Sequence, residues 1–567
     1  MEGTFWALVP ALITIIIALI TKQVYISLFI GIFTGAMLFA HGNPLTAFEN
    51  LFEVMAKTLS GDGGSHGAIL IFILMLGVLV ALIDKAGGTK AMGNWFASNV
   101  KSRKGMLAVT AGFGALMFMD DYFNRLATGT VMRPITDKYR ISRVKLAYII
   151  GSLSVAVCVL VPISSWASAI ESNIASGLTE EALNGDNIYS LYLKSAACNF
   201  YPILTIVFIF ATIALGMDFF GIRKRELNTM ETQDPNCGME ATFKSEEHHA
   251  EKSTGKIIDL VLPIAFMIAF SIGFMIYFSA TDSSSGSEIA LACGSTVAVI
   301  ATLIMYLIRK NITLKGFTQS LGDGFKSICD VFMILILAWT LADICAELEI
   351  NTFISSIANA MGDMKVLLPA IMMLIAMGIS FATGTSWGTF GIIVPLVNPM
   401  FVGQIGSELY LLTVAAVLSG AVFGDQVSPI SDATILAAAT TKCNHMDYVR
   451  CQLPVALMVA VLSFVGFLIG GITKSITIGW IVTAAAFVIF MTVSYFVQRS
   501  KNMLLPKFDS SMIVDDPDAV IQKKRRSFFI FLSYNTYTVC RRFRSLIHRT
   551  PCRYLRDNSY IFVRLQP

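Results

Sequence analysis

Charge is what this sequence has least of. Only 14% of its 567 residues are Asp, Glu, Lys or Arg, where a soluble domain carries about 25%. The mean hydropathy is +0.68. A string of ordinary soluble domains is therefore excluded, although the length alone would accommodate roughly three or four. The net charge of +4 is small and the basic residues are spread over several loops, so nucleic acid is not an expected partner. The ten cysteines include no Cys-x-x-Cys pair; neither a zinc site nor a disulfide framework is suggested, and buried small residues are the better reading. The glycine-rich Gly61-Asp62-Gly63-Gly64 is not followed by Gly-Lys-Ser/Thr, which removes ATP coupling by a phosphate loop. His248-His249, beside Glu246 and Glu247, reads as solvated linker rather than as a metal site. No cofactor is expected.

What the chain has in quantity is apolar sequence. Crossing a bilayer takes about 20 apolar residues, and runs approaching or reaching that size cover residues 5–19, 24–40, 68–83, 256–278, 324–341, 451–472 and 476–497. The first lacks a basic leader and a small-residue cleavage site, so it reads as a permanent span. The predicted fold class is all-α integral membrane, with about eleven transmembrane helices plus two re-entrant hairpins.

The chain also repeats itself. Residues 61–134 fall on 322–395 without gaps, setting Lys104 on Lys365, Thr128 on Thr389 and Pro134 on Pro395. A repeat this long reads as a duplicated transporter half. Basic residues mark cytoplasmic loops: Arg223-Lys224-Arg225, Lys101 to Lys104 and the loop 137–145 in the first half, then Arg309, Lys310, Lys315, Lys442 and Arg450 in the second. The acidic loop 177–187 and residues 281–288 carry no Lys or Arg and read as external. The aligned segments then enter from opposite sides, as inverted-topology repeats. Residues 1–220 form the first repeat, 221–256 a cytoplasmic linker, 257–500 the second repeat and 501–567 a cytoplasmic tail. The N-terminus is expected outside and the C-terminus in the cytoplasm, in the cell (inner) membrane.

Four segments are too short or too broken to cross simply. Residues 105–134 hold two apolar arms around Asp120-Asp121-Tyr122-Phe123-Asn124-Arg125, and residues 366–395 two arms around Thr383-Gly384-Thr385-Ser386-Trp387-Gly388. Each reads as a re-entrant hairpin with a polar tip, tolerated only inside protein or against a wet cavity. The following spans are interrupted at Pro162-Ile163-Ser164-Ser165-Trp166 and at Asp425-Gln426-Val427-Ser428-Pro429-Ile430-Ser431-Asp432, since a mid-span proline removes a donor. Half-helix ends created this way bind ions. An aspartate at the bilayer centre costs roughly 2.5–3.5 kcal/mol, so four need partners or a task. The candidate ion- or substrate-binding residues are Asp120, Asp121, Asn124, Ser164, Ser165, Thr385, Ser386, Asp425, Ser428, Ser431 and Asp432, with Asp121 and Asp425 as sodium ligands. Carboxylate, hydroxyl and carbonyl oxygens suit sodium, and carboxylates also carry protons. Structural uses compete. Asp121 can pair with Arg125 four positions on, Asp120 and Asp432 can cap helices, the hydroxyls can satisfy freed backbone groups, and Trp166 and Trp387 can simply pack.

These motifs resemble the NhaC-type sodium/proton antiporter family. The resemblance rests on Met119-Asp120-Asp121-Tyr122-Phe123-Asn124 with Gly129-Thr130-Val131-Met132-Arg133-Pro134, on Pro162 to Trp166, on Gly384-Thr385-Ser386-Trp387-Gly388, on Phe423 to Asp432, and on Cys443-Asn444-His445-Met446-Asp447-Tyr448-Val449-Arg450. It covers roughly residues 5–498. It implies an ion-transporter-superfamily fold, alternating access of the elevator type, and sodium and protons as transported ions; similar members move small organic acids or amino acids. By analogy with elevator carriers a homodimer is expected. One position departs from the pattern: where the resemblance implies a carboxylate after Lys145-Leu146-Ala147-Tyr148, the chain has Gly151. With Arg125 near the same site, this keeps a sodium- or proton-coupled carrier of a small organic acid or amino acid as the alternative to ion exchange.

Two further stretches lie apart from this reading. Gly384 to Gly388 spells G-x-S-x-G, but between apolar helical arms rather than on a strand–turn–helix elbow, so an enzyme is not expected. Past Lys523-Lys524-Arg525-Arg526 the sequence turns rich in Arg, Tyr, Phe and Ser without helical period. It reads as a non-native extension or as a basic tail on anionic lipid.

Overall fold

The computed structural model describes residues 4–21, 23–60, 65–176, 187–242, 255–280, 287–350, 362–501 and 504–505, with isolated positions within 177–186 and 351–361. The described residues belong to one compact unit. The Gly61 motif, His248-His249, most of the two loops read as external, and the tail from residue 506 lie outside them. Among the described residues every regular element is helical.

Among the described residues eight helices are long and apolar enough to cross a membrane, or nine if the pair Tyr25–Phe39 and Pro44–Leu59, bent by 117°, counts as one span. Beside the polar breaks, Arg103–Leu116, Asp121–Lys138, Ser165–Ala175, Ser386–Val397 and Asp432–Thr441 run for only 10 to 18 residues, short of the length a simple span requires, and stand outside that count. The outer helices Ile258–Ala280 and Ile476–Ser500 leave most of their apolar surface open, with Ile481, Val488, Ile489 and Phe496 among the exposed side chains. Apolar surface on this scale faces lipid rather than water; the chain is a multi-pass membrane protein.

The same element order occurs twice. The first hairpin pairs Arg103–Leu116 with Asp121–Lys138, and the first broken helix runs Arg143–Cys158 then Ser165–Ala175. The second hairpin pairs Leu368–Thr383 with Ser386–Val397, and the second broken helix runs Glu408–Val427 then Asp432–Thr441. Pro134 and Pro395, matched in the sequence repeat, both lie inside the second arm of their hairpin. The tips differ in length. Residues 117–120 form the first break, whereas Gly384 and Thr385 alone form the second.

Each half-helix after a break starts on a polar cap. The Asp120 side chain accepts from Phe123 N, Ser164 from Ala167 N, Thr385 from Gly388 N and Ser431 from Ala433 N. These caps satisfy donors that a helix start otherwise leaves bare. Gly384, at φ +74, turns the second hairpin through a left-handed residue that a side chain would strain.

The two helices that enter the broken regions occupy the centre. All of Arg143–Cys158 is buried, as is Leu409 through Val427. A helix buried on every side belongs to a core. The buried lysine and arginines at the foot of the first half are paired. Lys145 Nζ lies 2.7 Å from Asp218 Oδ2, Arg103 bonds Glu226, and Glu226 also accepts from Ser142 N at 2.7 Å. Glu226 sits on the helix Phe220–Thr232, so the polar stretch after residue 220 begins as a helix docked on the first half.

The second hairpin reaches its broken helix by backbone contact. Gly420 and Gly424, spaced as in a small-xxx-small packing motif, face Met373 O and Met377 O. A Cβ on Gly424 would stand 2.6 Å from Met377 O and from Phe381 N. Gly424→Val should therefore cost about 1–3 kcal/mol by overpacking, seen as a lower Tm of the detergent-solubilised protein. Gly378→Ala, where nothing lies within 4 Å of the new Cβ, should leave Tm unchanged or slightly raised.

Candidate functional site

The four breaks meet, and aspartates lie at two of them, the first hairpin tip and the second helix break. In the first half, the Ser165 hydroxyl donates to Asp120 Oδ2 at 3.1 Å and the Ser165 amide donates to Met119 O at 3.0 Å. The hairpin tip and the restarted helix are thereby stitched together. Asp121 is engaged on both oxygens: Trp166 Nε1 donates to one at 2.9 Å and Arg125 Nη1 to the other at 2.7 Å. The Arg125–Asp121 pair is buried on both sides.

In the second half the chemistry is exchanged between the two elements. Here the hairpin supplies the serine and the broken helix the carboxylate. Ser386 donates to Asp425 Oδ2 at 2.9 Å, and Ser431, from across the break, donates to Asp425 Oδ1. Ser386 also donates to Ala421 O at 3.2 Å, as Ser380 does at 2.6 Å. Asp425 is 4% exposed and Asp120 9%, whereas Asp432 stands on the open side of the cluster.

Two links join the halves at this level. The Tyr122 hydroxyl, from the first hairpin, donates to Asp432 Oδ2 of the second broken helix. Trp166 and Trp387 pack with ring centroids 5.1 Å apart. One step behind the aspartates, Gln426 accepts from Tyr201 at 2.7 Å and donates to Ser152 of the first broken helix at 2.7 Å. Arg125 lies within electrostatic reach of Asp121, Asp425 and Asp432 together.

Not every predicted site residue faces the centre in this way. Asn124 is spent holding the first hairpin: its amide donates to Gly114 O at 2.6 Å and its oxygen accepts from Thr128 at 3.1 Å. Ser164 caps the break, donating to Cys158 O at 2.7 Å and accepting from Ala167 N. Thr385 is a cap. The Ser428 hydroxyl accepts only a 3.4 Å contact from Ile430 N, while its carbonyl accepts from Thr434 at 2.8 Å. Asp120, Asp121, Ser165, Ser386, Asp425, Ser431 and Asp432 are the predicted residues brought together. Tyr122 and Gln426, which the sequence reading passed over, carry bonds between the halves; no spacing rule marks a residue for a partner 225 to 310 positions away. Ser386 bonds an aspartate, and His445, the histidine nearest the second broken helix in sequence, contacts Thr434 at 3.2 Å. The G-x-S-x-G string is thus part of a hairpin tip.

Gly151 also acquires a structural reason. A Cβ at this position would overlap the hydroxyl of Tyr448 and stand 3.7 Å from Ala437. The tyrosine, not a residue of the first broken helix, fills that space. Tyr448 is fully buried.

Paired hairpins and paired broken helices, with capped half-helix starts gathered around intramembrane aspartates, define a secondary transporter. Comparison with known proteins gives the family. Residues 157–472 match the profile of the Na+/H+ antiporter family. An uncharacterised protein of Haemophilus influenzae is 32% identical over 509 residues, 86% of this chain and 95% of that protein. The malate-2H(+)/Na(+)-lactate antiporter of Bacillus subtilis is 42% identical over 98 residues, 16% of this chain and 20% of its own length. The solved structure of Neisseria gonorrhoeae MtrF, from a class of antimetabolite efflux pumps, superposes with a TM-score of 0.47 at 12% identity, covering 77% of this chain and 84% of that one. The chain belongs to the Na+/H+ antiporter family. It is a secondary transporter of the antiporter type and not an enzyme.

The fit between Gly151 and Tyr448 is testable by suppression. Gly151→Ala should lower stability by about 1–3 kcal/mol, read as a fall in Tm. Tyr448→Phe in the same chain should restore most of it, because the ring Cζ stands at 3.5 Å from the new Cβ.

Proposed function

We propose that the chain exchanges sodium for protons across the cell membrane by alternating access, with Asp425 as the principal ion-binding carboxylate. The observation that carries this reading is the joint hold of Ser386 and Ser431 on Asp425, at the meeting of a hairpin tip and a helix break. The two hydroxyl oxygens keep lone pairs beside the carboxylate, so a sodium ion meets an all-oxygen site of the kind it prefers. Asp121 is occupied by Arg125 and serves to orient it. Setting that neutral pair aside leaves Asp120, Asp425 and Asp432 as the groups that take up cation or proton.

The exchange follows from charge. Sodium requires an ionised carboxylate; a proton removes that charge, so the two ions compete for one state of the site. With neither bound, bare carboxylates would have to move through the membrane interior, each at a cost of roughly 2.5–3.5 kcal/mol. The loaded forms are the ones that cross, and this makes exchange obligatory. In this reading residues 1–220 and 257–500 act as inverted repeats, with the N-terminus outside, the C-terminus cytoplasmic and a homodimer as the assembly.

In everted membrane vesicles carrying a pH-sensitive dye, sodium should dissipate the pH gradient, and Asp425→Asn should abolish that response. Ser386→Ala should raise the sodium concentration for half-response about tenfold, the worth of one hydrogen bond of about 1.4 kcal/mol. A wild-type chain that does not respond to sodium, or an Asp425→Asn chain that responds normally, overturns the proposal.

A second reading is favoured by Arg125. Its Nε is buried without a hydrogen-bond partner in the chain, while Nη1 holds Asp121. A guanidinium with a donor to spare suits a carboxylate, and the Bacillus subtilis relative is named for malate and lactate. On this reading a small organic anion rides with the cation. Proteoliposomes should then accumulate labelled malate or lactate under a sodium or pH gradient, and Arg125→Lys should reduce that uptake at least about tenfold. Absence of gradient-driven uptake in the wild type removes this reading and leaves ion exchange.

A further inference from the structure

The helix Ser165–Ala175 is as polar as it is buried. At about 100° per residue, Ser165, Ser172, Ser168 and Glu171 fall within a stripe about 120° wide along one side of it. Each is at most 3% exposed. The stripe begins in the central cluster, where Ser165 donates to Asp120, and runs away from it to a fully buried glutamate.

Two hydroxyls on this stripe share with Ser271 and Thr302, on other helices, a buried oxygen without a hydrogen-bond partner in the chain. A buried serine or threonine in a helix usually turns back on the carbonyl four residues earlier. Thr110, Thr205, Thr413 and Ser463 all do so, donating to Met106 O, Tyr201 O, Leu409 O and Val459 O. Ser168 and Ser172 do not: both hydroxyl oxygens are buried without a hydrogen-bond partner in the chain. An unmade bond at such a position is unfavourable, and here two occur one turn apart on the side of the helix that carries Glu171. The neighbourhood is otherwise well tied. Tyr192, within electrostatic reach of Glu171, donates to the freed carbonyls of Val159 and Val161 at 3.2 Å each. The break itself is therefore satisfied; Ser168 and Ser172 stay unpartnered on the stripe, as Asn173 Oδ1 does beside it.

We infer that this stripe is a second binding position for a monovalent cation of the sodium class, formed by the Glu171 carboxylate with the Ser168 and Ser172 hydroxyls and joined to the central aspartates through Ser165 and Asp120. A carboxylate flanked by hydroxyl oxygens in a site closed to bulk water is a hard-oxygen environment, matched to an alkali cation rather than to a softer metal. The inference rests on the sodium reading proposed above. It adds that the chain holds a cation here while another occupies Asp425, so the two positions fill separately.

Direct binding of radiolabelled sodium to the purified full-length chain in detergent tests this, with choline chloride keeping ionic strength constant. Glu171→Gln should lower saturation binding to about half the wild-type level, Asp425→Asn should do the same, and the double variant should bind none, as expected for independent sites. Ser168→Ala with Ser172→Ala keeps the carboxylate and should weaken the affected half of the binding about tenfold or more; it serves equally if Glu171→Gln fails to fold. Full saturation binding of normal affinity in both the Glu171 and the serine variants overturns the second position and leaves the Asp425 proposal standing. Loss of all binding on Asp425→Asn alone also overturns it. A wild-type chain that binds no sodium overturns both proposals at once.

Discussion

A carboxylate withdrawn from water is tolerated only when its oxygens are engaged, and the centre of this protein is arranged around that requirement. Asp425 meets it with two serines from different elements, Ser386 on the second hairpin and Ser431 beyond the helix break. The contact can exist only because Gly420 and Gly424 let the hairpin backbone approach the broken helix. Close backbone packing, hydroxyl placement and carboxylate stabilisation are thus one constraint seen at three scales. Remove the glycines and the serine no longer reaches; remove the serine and the aspartate sits with an unmet oxygen.

The first half solves the same problem with the roles reversed. Its hairpin tip carries Asp120 and its broken helix carries Ser165. In both halves a serine–aspartate bond ties a hairpin to a broken helix, yet the aspartate is on opposite members of the pair. The two halves share the joint and not its chemistry. The exchange matters electrically, because it places carboxylates on a hairpin in one half and on a broken helix in the other instead of stacking them on one helix. Arg125 then faces three of them from a single position. The pair it forms with Asp121, being buried on both sides, is costly to break by removing one partner, which suits a fixed reference charge better than an exchanging ligand.

Much of the fold was legible along the chain. Apolar runs marked the helices, and the internal repeat marked two halves with matched breaks. Asp120, Ser164, Thr385 and Ser431 are of the residue types that begin helices, and each does begin one. Hydropathy measures apolar length, while the capped breaks cut that length into half-helices. Among the candidate ligands, the sequence could not divide ligands from braces. Asn124 and Ser165 are equally polar and equally near a break, but Asn124 spans its own hairpin and Ser165 reaches an aspartate. Glu171 was legible in principle, as an acidic residue inside an apolar stretch, though nothing in its neighbours' spacing announces how deeply it is buried.

What the sequence determined by itself is therefore local and periodic: where helices run, where they break, which polar residue caps each restart, and that two halves share one plan. Those properties depend on interactions within a few residues, and a linear pattern encodes them. What only the tertiary structure decided is which oxygens share a space. Tyr122 meets Asp432 across 310 positions, Gln426 meets Ser152 across 274, and Tyr448 fills the hollow left by Gly151. Each depends on the angle at which helices from opposite halves pack, a quantity fixed by the summed fit of the whole core and by no single stretch of chain.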